Sequence, residues 1–278
     1  MRYIDMIKKL KQAIETVRVK SRKPLHIEFN VTDYCNLNCK CCSHYSPLAT
    51  EEYQSLQDLE SDMRHISGIR NVELIEGVYL IGGETLLYPQ LKEAMLLARK
   101  YFPKAKLSIF TNGLLIPKMD KEFWDICRNT NSVIALTRYP VKFDYDRVEQ
   151  ICRDEGVEIE VFDDRGNDNS FFRFPLDPEK KQNGRLAHFK CISFGCVTID
   201  HGRVFPCSQA ACVGHLNKKF GTDFRWEKGD YINVKDLTDA SQIKALRSRP
   251  IPFCSYCAPK ETVTHSPSKR EKGEWVKI

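Results

Sequence analysis

The chain has 278 residues, 42% of them hydrophobic, which suits one large or two modest domains with a real core. Its net charge of +6 is mild, and the basic residues are dispersed except near the two ends, so neither nucleic acid nor a membrane surface is expected as a partner. No run is long and apolar enough to span a bilayer, the opening MRYIDMIKKLK is amphipathic rather than a secretion signal, and a cytoplasmic location is expected.

Taken in order, residues 1 to about 20 carry Ile4, Ile7, Leu10, Ile14 and Val17 at helical spacing. That predicts an amphipathic helix covering an open edge of the fold. From Leu25 the pattern becomes strand, loop, helix, repeated. Strands are predicted at 25–31, 77–81, 106–110, 132–137 and 157–162. Helices are predicted between them at about 55–67, 89–102, 119–129 and 144–155, with Pro89 as a first-turn residue. Five strands alternating with helices predict a parallel sheet with helical cover. Right-handed crossovers then gather the strand ends on one rim. Residues 164–190, rich in Asn, Asp, Gly, Pro and charge, predict a long loop and a boundary, with Phe171, Phe172 and Phe174 over the barrel mouth. Val197, Ile199 and Val204 flank His201-Gly202 and predict a β-hairpin. A helix follows at 236–248, and the polar tail from Ala258 is expected at the surface or frayed.

Twelve cysteines without an export signal point to metal binding rather than a disulfide framework. Thr32 to Pro47 reads TDYCNLNCKCCSHYSP and follows the first strand. Cys35, Cys39 and Cys42 are spaced C-x3-C-x2-C, with Cys41 inside the pattern. Three thiolates on a tight loop can hold three irons of a [4Fe–4S] cube and leave the fourth iron open to a non-protein ligand. An open coordination position is where cosubstrate chemistry happens. A zinc knuckle is the competing reading, although so dense a run would strain a tetrahedron. Three further motifs fall at the same predicted rim: Gly82-Gly83-Glu84, Thr111-Asn112-Gly113 and Arg138. Two glycines after a strand let the backbone approach a ligand closely. A second constellation comprises Cys191 and Cys207 around the hairpin, with Cys254 and Cys257 as a later C-x2-C. These four can serve one iron–sulfur cluster or one zinc. Cys196 rivals Cys191 as first ligand, and Cys212 and His215 are spare.

The C-x3-C-x2-C spacing resembles the signature of the radical S-adenosylmethionine (radical SAM) superfamily. The resemblance implies an α/β fold, a partial (β/α) barrel of the radical SAM type, with a sixth strand lost or contributed by the following region. It implies that Cys35, Cys39 and Cys42 hold a [4Fe–4S] cluster whose open iron binds the amino and carboxylate groups of SAM. Reduction would cleave SAM to methionine and a 5′-deoxyadenosyl radical. The family usually has an aromatic residue where Cys41 stands here, and Cys41 is read as a spare thiol. Gly82-Gly83-Glu84 resembles the family's GGEP motif, with Thr85 replacing the proline. That implies backbone contact with the SAM amino group, and Thr111, Asn112 and Arg138 are expected at the SAM ribose or carboxylate.

Cys191, Gly202 and Cys207 are similar to the opening signature of the Twitch domain, the shortened SPASM domain. This implies a small C-terminal α+β domain with a second [4Fe–4S] cluster on Cys191, Cys207, Cys254 and Cys257. The expected division is an N-terminal helix at 1–24, the barrel at 25–175, the Twitch-like domain at 176–260 and a polar tail at 261–278. The layout is most similar to the radical SAM aminocyclitol dehydrogenases. That implies oxidation of a carbohydrate-like carbinol, or its epimerisation with Cys212 or Cys196 as candidate hydrogen donor. Flavodoxin or ferredoxin is the implied reductant. The alternatives are peptide modification, against which only one helix precedes the barrel, and a zinc-stabilised regulatory protein.

Overall fold

The first apolar strand sets the frame. In the computed structural model, which describes residues 24–162, 169–193 and 195–278, LHIEFNVT forms β1 (Leu25–Thr32). Ile27, Phe29 and Val31 are fully buried. Alternation along a strand sends Glu28, Asn30 and Thr32 to the opposite face. There Glu28 accepts a hydrogen bond from Thr198 and Asn30 donates one to Asp200.

Four strand–helix repeats follow, three of the helices started by a side-chain cap. Ser55 caps α1 (Leu56–Ser67), whose Leu59, Met63 and Ile66 are fully buried. Then come β2 (Ile75–Gly82), α2 (Leu91–Tyr101) and β3 (Lys106–Thr111). Asp120 caps α3 (Lys121–Asn129), β4 is Ser132–Thr137, Asp144 caps α4 (Tyr145–Asp154), and β5 is Ile159–Phe162. Strands β1 to β5 pair in sequence order and parallel, which is the expected βα sheet. Pro89 lies just outside α2, with Gln90 as its cap, rather than in the first turn. The expected helix at 1–20 lies outside the described residues.

The second half departs further from expectation. Residues 164–190 are not one loop: among those described, β6 (Ser170–Arg173) and α5 (Gly184–Lys190) are regular. The hairpin forms as expected, from β7 (Thr198–Asp200) and β8 (Arg203–Phe205) turning at His201-Gly202. Yet β7 pairs parallel with β1, so the hairpin and β9 (Ile232–Asn233) extend the barrel sheet to eight strands in the order β5-β4-β3-β2-β1-β7-β8-β9. Between them runs α6 (Ser208–Phe220). The helix expected at 236–248 is α7 (Ala240–Arg247), because the capping box of Asp239 and Gln242 starts it later. No helix of the described residues is long and apolar enough to cross a membrane.

The tail is the main correction. It is neither frayed nor merely laid on the surface. β10 (Glu261–Thr264) pairs antiparallel with β6, and Trp275 and Val276 are each 1% exposed within the core. Lys40 N–H donates to Ser266 O and Ser268 N–H donates to Asn38 O, so the segment straps the cysteine loop. The buried apolar part of the strap is one indole and one valine, too little periodicity to be read as a core segment.

Trp275→Ala should lower stability by about 3–5 kcal/mol in equilibrium denaturant unfolding, the range for a buried Trp emptied to Ala. Trp275→Phe keeps most of the packing and should cost about 1 kcal/mol, through loss of its hydrogen bond. Asp62 of α1 offers a pH test. Burial raises its carboxyl from 3.8 to about 6, against a hydrogen bond from the Gly202 N–H. The folded state therefore favours the protonated acid. That stabilising contribution is complete below pH 3.8 and lost as pH rises through about 6. Asp62→Asn should raise the melting temperature at pH 7 and leave it unchanged near pH 3.5.

Candidate active site

The cysteine loop leaves the end of β1 and folds back on itself by short turns. Cys42 N–H donates to Cys39 O at 3.3 Å and Tyr45 N–H to Cys42 O at 3.1 Å. Cys35 and Cys42 lie within electrostatic reach of each other. Burial pushes the Cys35 thiol up to about 12, against hydrogen bonds from Leu37 N–H and the Asn112 amide. Such a thiol ionises when a metal cation replaces its proton. Burial also works on Cys42, but the hydrogen bond and charge of His44 outweigh it and bring that thiol below its ordinary value. The other ring nitrogen of His44, Nε2, is buried with no partner among the described residues. Cys39 is 7% exposed, and His265 Nε2 of the strap stands 3.2 Å from its Sγ. Cys41 sits at φ 63°, and its buried thiol feels Lys40, Glu274, Arg173 and Glu261 of the strap side.

Gly82 and Gly83 have a different first use from the one expected of them. A Cβ on Gly82 would run into Thr32 O, and one on Gly83 into the carbonyls of Asp33 and Tyr34. Gly83 N–H donates to Thr32 O at 2.7 Å and Glu84 N–H to Tyr34 O at 2.9 Å. The glycines let the cysteine loop lie directly on the turn after β2.

Glu84 is 1% exposed and ties three strand ends together. Its carboxylate accepts from Thr111 Oγ1 at 2.6 Å, Asn112 N–H at 2.8 Å and Leu86 N–H at 3.0 Å. Burial raises its pKa against these donors. Asn112 passes the link on, donating from Nδ2 to Asn36 Oδ1 at 2.7 Å and lying 3.8 Å from Cys35 Sγ. Cysteine loop, GGE turn and Thr111-Asn112 are therefore one assembly. Arg138 stands apart from it, its guanidinium ion-paired with Glu149 and Asp146 of α4.

The second cysteine set gathers around a cavity of about 370 Å³. Cys191 ends α5, Cys207 caps α6, Cys254 lies within the turn at Pro252–Ser255 and Cys257 follows it. All four line the cavity. Burial raises Cys207 to about 12, with the thiols of Cys191 and Cys254 adding to it and the N–H groups of Ala210 and Gln209 opposing. Those amides open a helix, a setting that favours a thiolate. Among the described residues no three His, Cys, Asp or Glu side chains close on a single ion, so the four thiols stand around the cavity rather than meeting at a point.

Cys196 lies outside this set. Its thiol is hydrogen-bonded to Glu28, within reach of Cys207 and Cys191. Cys212 donates to Asp33 Oδ1 at 3.5 Å, and His215 Nε2 is 2.7 Å from Asp33 Oδ2. They line a separate polar cleft of about 630 Å³ with Asn30, Asp200 and Gln54. Sequence reasoning missed His44, His265 and Trp275. His44 carried a signal, an imidazole two residues after a ligand-type cysteine; the other two carried none, because they meet the loop from more than 200 residues away.

The model of the radical SAM superfamily matches residues 29–155. Among curated proteins, GTP 3′,8-cyclase of Helicobacter pylori (strain HPAG1) is 30% identical over 136 residues, covering 48% of this chain and 40% of that protein. GTP 3′,8-cyclase of Aliarcobacter butzleri (strain RM4018) is 30% identical over 104 residues, covering 37% and 32%. The chain thus spans less than half the length of the curated relatives it matches. Among solved structures, BtrN in complex with AdoMet and 2-DOIA aligns with a TM-score of 0.54 at 16% identity, covering 86% of this chain and 94% of that one. At that identity the likeness shows a shared fold.

Gly83→Ala should detach the cysteine loop from the β2 turn. The expected outcome is faster alkylation of Cys35, Cys39 and Cys42, with the rate at Cys191, Cys207, Cys254 and Cys257 unchanged.

Proposed function

We propose that this chain, which carries a radical SAM domain over residues 29–155, is an enzyme that cleaves SAM reductively and abstracts hydrogen from a carbohydrate-like or aminocyclitol-like carbinol, oxidising or epimerising it. The observation that carries this reading is the pair of thiol sets, three on the loop after β1 and four around the cavity beside the hairpin that extends the same sheet. The donors suit [4Fe–4S] clusters: three cysteines leave one iron open, four close a cube, and thiols spread around a cavity suit a cube better than one zinc. When bound, such groups supply SAM cleavage to a 5′-deoxyadenosyl radical at the first site and an electron acceptor at the second.

The chain's own residues supply placement. Cys35, Cys39 and Cys42 would hold the first group and Cys191, Cys207, Cys254 and Cys257 the second. Gly82, Gly83 and Glu84, with Thr111 and Asn112, hold the loop against three strand ends, so a cosubstrate at the open position meets a fixed wall. Arg138 reaches such a cosubstrate only by leaving its carboxylate partners. For the epimerising variant, Cys212 is the better placed of the two candidate donors, because it bonds Asp33 at the start of the first cysteine loop and lies within reach of Cys42, whereas Cys196 pairs with Glu28 and faces the second thiol set. Burial keeps both Cys196 and Cys212 protonated, the form that can give up a hydrogen atom. The complex of BtrN with AdoMet and 2-DOIA supports a small-molecule substrate. A flavodoxin or ferredoxin would supply the electron.

Anaerobic reconstitution should give about eight irons per chain, two cubes. Cys39→Ala should lose half of that iron and all 5′-deoxyadenosine formation. Cys257→Ala should lose the other half and the ketone product while still forming 5′-deoxyadenosine. A chain that carries zinc and no iron would exclude the proposal, and tight binding of a short peptide with no reaction on carbinols would favour peptide modification.

A further inference from the structure

The four-thiol cavity has a one-sided charge pattern that the reading above does not use. Of the residues around it, Lys190, Arg247, Arg249 and Lys260 are cationic, and none is an Asp or Glu. They come from separate stretches of chain: the end of α5, the end of α7 with the residues after it, and the approach to β10. The fold brings them together around the same thiols. Arg247 differs from the other three. It is 2% exposed and donates from Nη1 to Pro24 O at 2.7 Å, so it is engaged inside the protein. Lys190, Arg249 and Lys260 are exposed, and none of the three is ion-paired with a carboxylate among the described residues. Lys260 Nζ stands instead 4.0 Å from the centre of the Phe172 ring. A buried cation beside a metal group offsets that group's own charge. Exposed cations at a mouth act on what approaches through solvent.

Apolar surface lies in the same place. α5 has no buried residue. Leu186 on that helix and Ile192 just beyond Cys191 are each 49% exposed, two of the six large hydrophobic side chains exposed among the described residues. Leu186 joins Ala258 and Pro259 in the cavity wall. An apolar centre inside a charged rim is the anatomy of a protein interface. The thiols behind it are within reach from outside: Cys191, Cys207, Cys254 and Cys257 are all partly exposed, whereas Cys39 and Cys41 of the first loop are buried.

We propose that this basic, apolar-centred mouth is the docking surface of a small acidic electron-carrier protein, which exchanges one electron with the group held by the four thiols. This rests on the reading that those thiols hold a [4Fe–4S] cluster. A carrier whose redox centre is rimmed by carboxylates meets three cations and no opposing carboxylate there, which favours both its approach and its orientation. The carrier takes the electron that oxidation of the carbinol leaves on the auxiliary group. It is reduced by one electron, the group is reoxidised, and no bond forms or breaks in that step.

The test uses the full-length chain, reconstituted anaerobically with iron counted, and a flavodoxin as the probe. Calorimetry compares the rim variant Lys190→Glu/Arg249→Glu/Lys260→Glu with a control of the same charge change on the barrel, Lys104→Glu/Lys118→Glu/Lys121→Glu. The expected result is salt-sensitive binding by wild type, weakened about tenfold or more in the rim variant and less than about twofold in the control. Stopped-flow absorbance then follows flavodoxin semiquinone as oxidised flavodoxin meets each reduced protein, with Cys39→Ala added to all so that iron remains at the auxiliary site alone. Semiquinone should form more slowly in the rim variant and at the wild-type rate in the control. Equal weakening in both variants would overturn the inference, as would weakened binding with semiquinone formation unslowed. Rim-dependent binding of an RNA oligonucleotide as tight as that of flavodoxin would overturn it too, as would no flavodoxin binding by wild type carrying about eight irons. Wild type with iron at the first site alone would instead overturn the two-cluster reading, and this inference with it.

Discussion

No side chain fits between the cysteine loop and the turn after β2, and the rest of the site follows from that contact. Two glycines let the carbonyls of Thr32, Asp33 and Tyr34 come down onto Gly82 and Gly83. A buried carboxylate next in sequence, Glu84, then fastens the turn to the end of β3 through Thr111 and Asn112. Asn112 returns to Asn36 beside Cys35, closing a ring of polar contacts. Such a ring is rigid because each member is satisfied by another, and a break leaves a buried charge or amide unpaired. A loop that must hold three thiols at fixed positions gains that rigidity from strand ends, the stiffest parts of the sheet.

The C-terminal half does not hang beside the barrel. It extends the sheet through β7 on the free side of β1, then returns over the cysteine loop as a strap ending in Trp275 and Val276. Both thiol sets are therefore mounted on the surroundings of one strand. The auxiliary cavity draws its lining from α5, the start of α6 and the turn at Pro252–Ser255, segments that meet only because the hairpin has joined the sheet.

The barrel half was legible because its signals are local. Apolar runs bounded by Gly and Pro placed β1 to β5 and α1 to α4 within a few residues, and the structure shows side-chain caps at Asp120 and Asp144 near the expected starts of α3 and α4. The spacing of Cys35, Cys39 and Cys42, and the grouping of GGE with Thr111-Asn112, were also readable. Long-range pairing was not. β6 finds β10 across about ninety residues, His265 finds Cys39 across 226, and neither strand has an apolar pattern that announces a partner. Arg138 reads as a ligand at a strand end until Glu149 and Asp146 are seen beside it, one helix later. The glycines were noticed for close approach, and the chain's own carbonyls are one body that approaches them.

The strap also imposes an order of events. During synthesis the thiols at positions 35 to 42 emerge long before His265, Ser266 and Trp275 exist to cover them. In the interval the first motif is an open, reactive tether on a nascent barrel. Anything that must reach those thiols works either in that window or by peeling away the docked segment, so access to the loop is set by how late its strap is made.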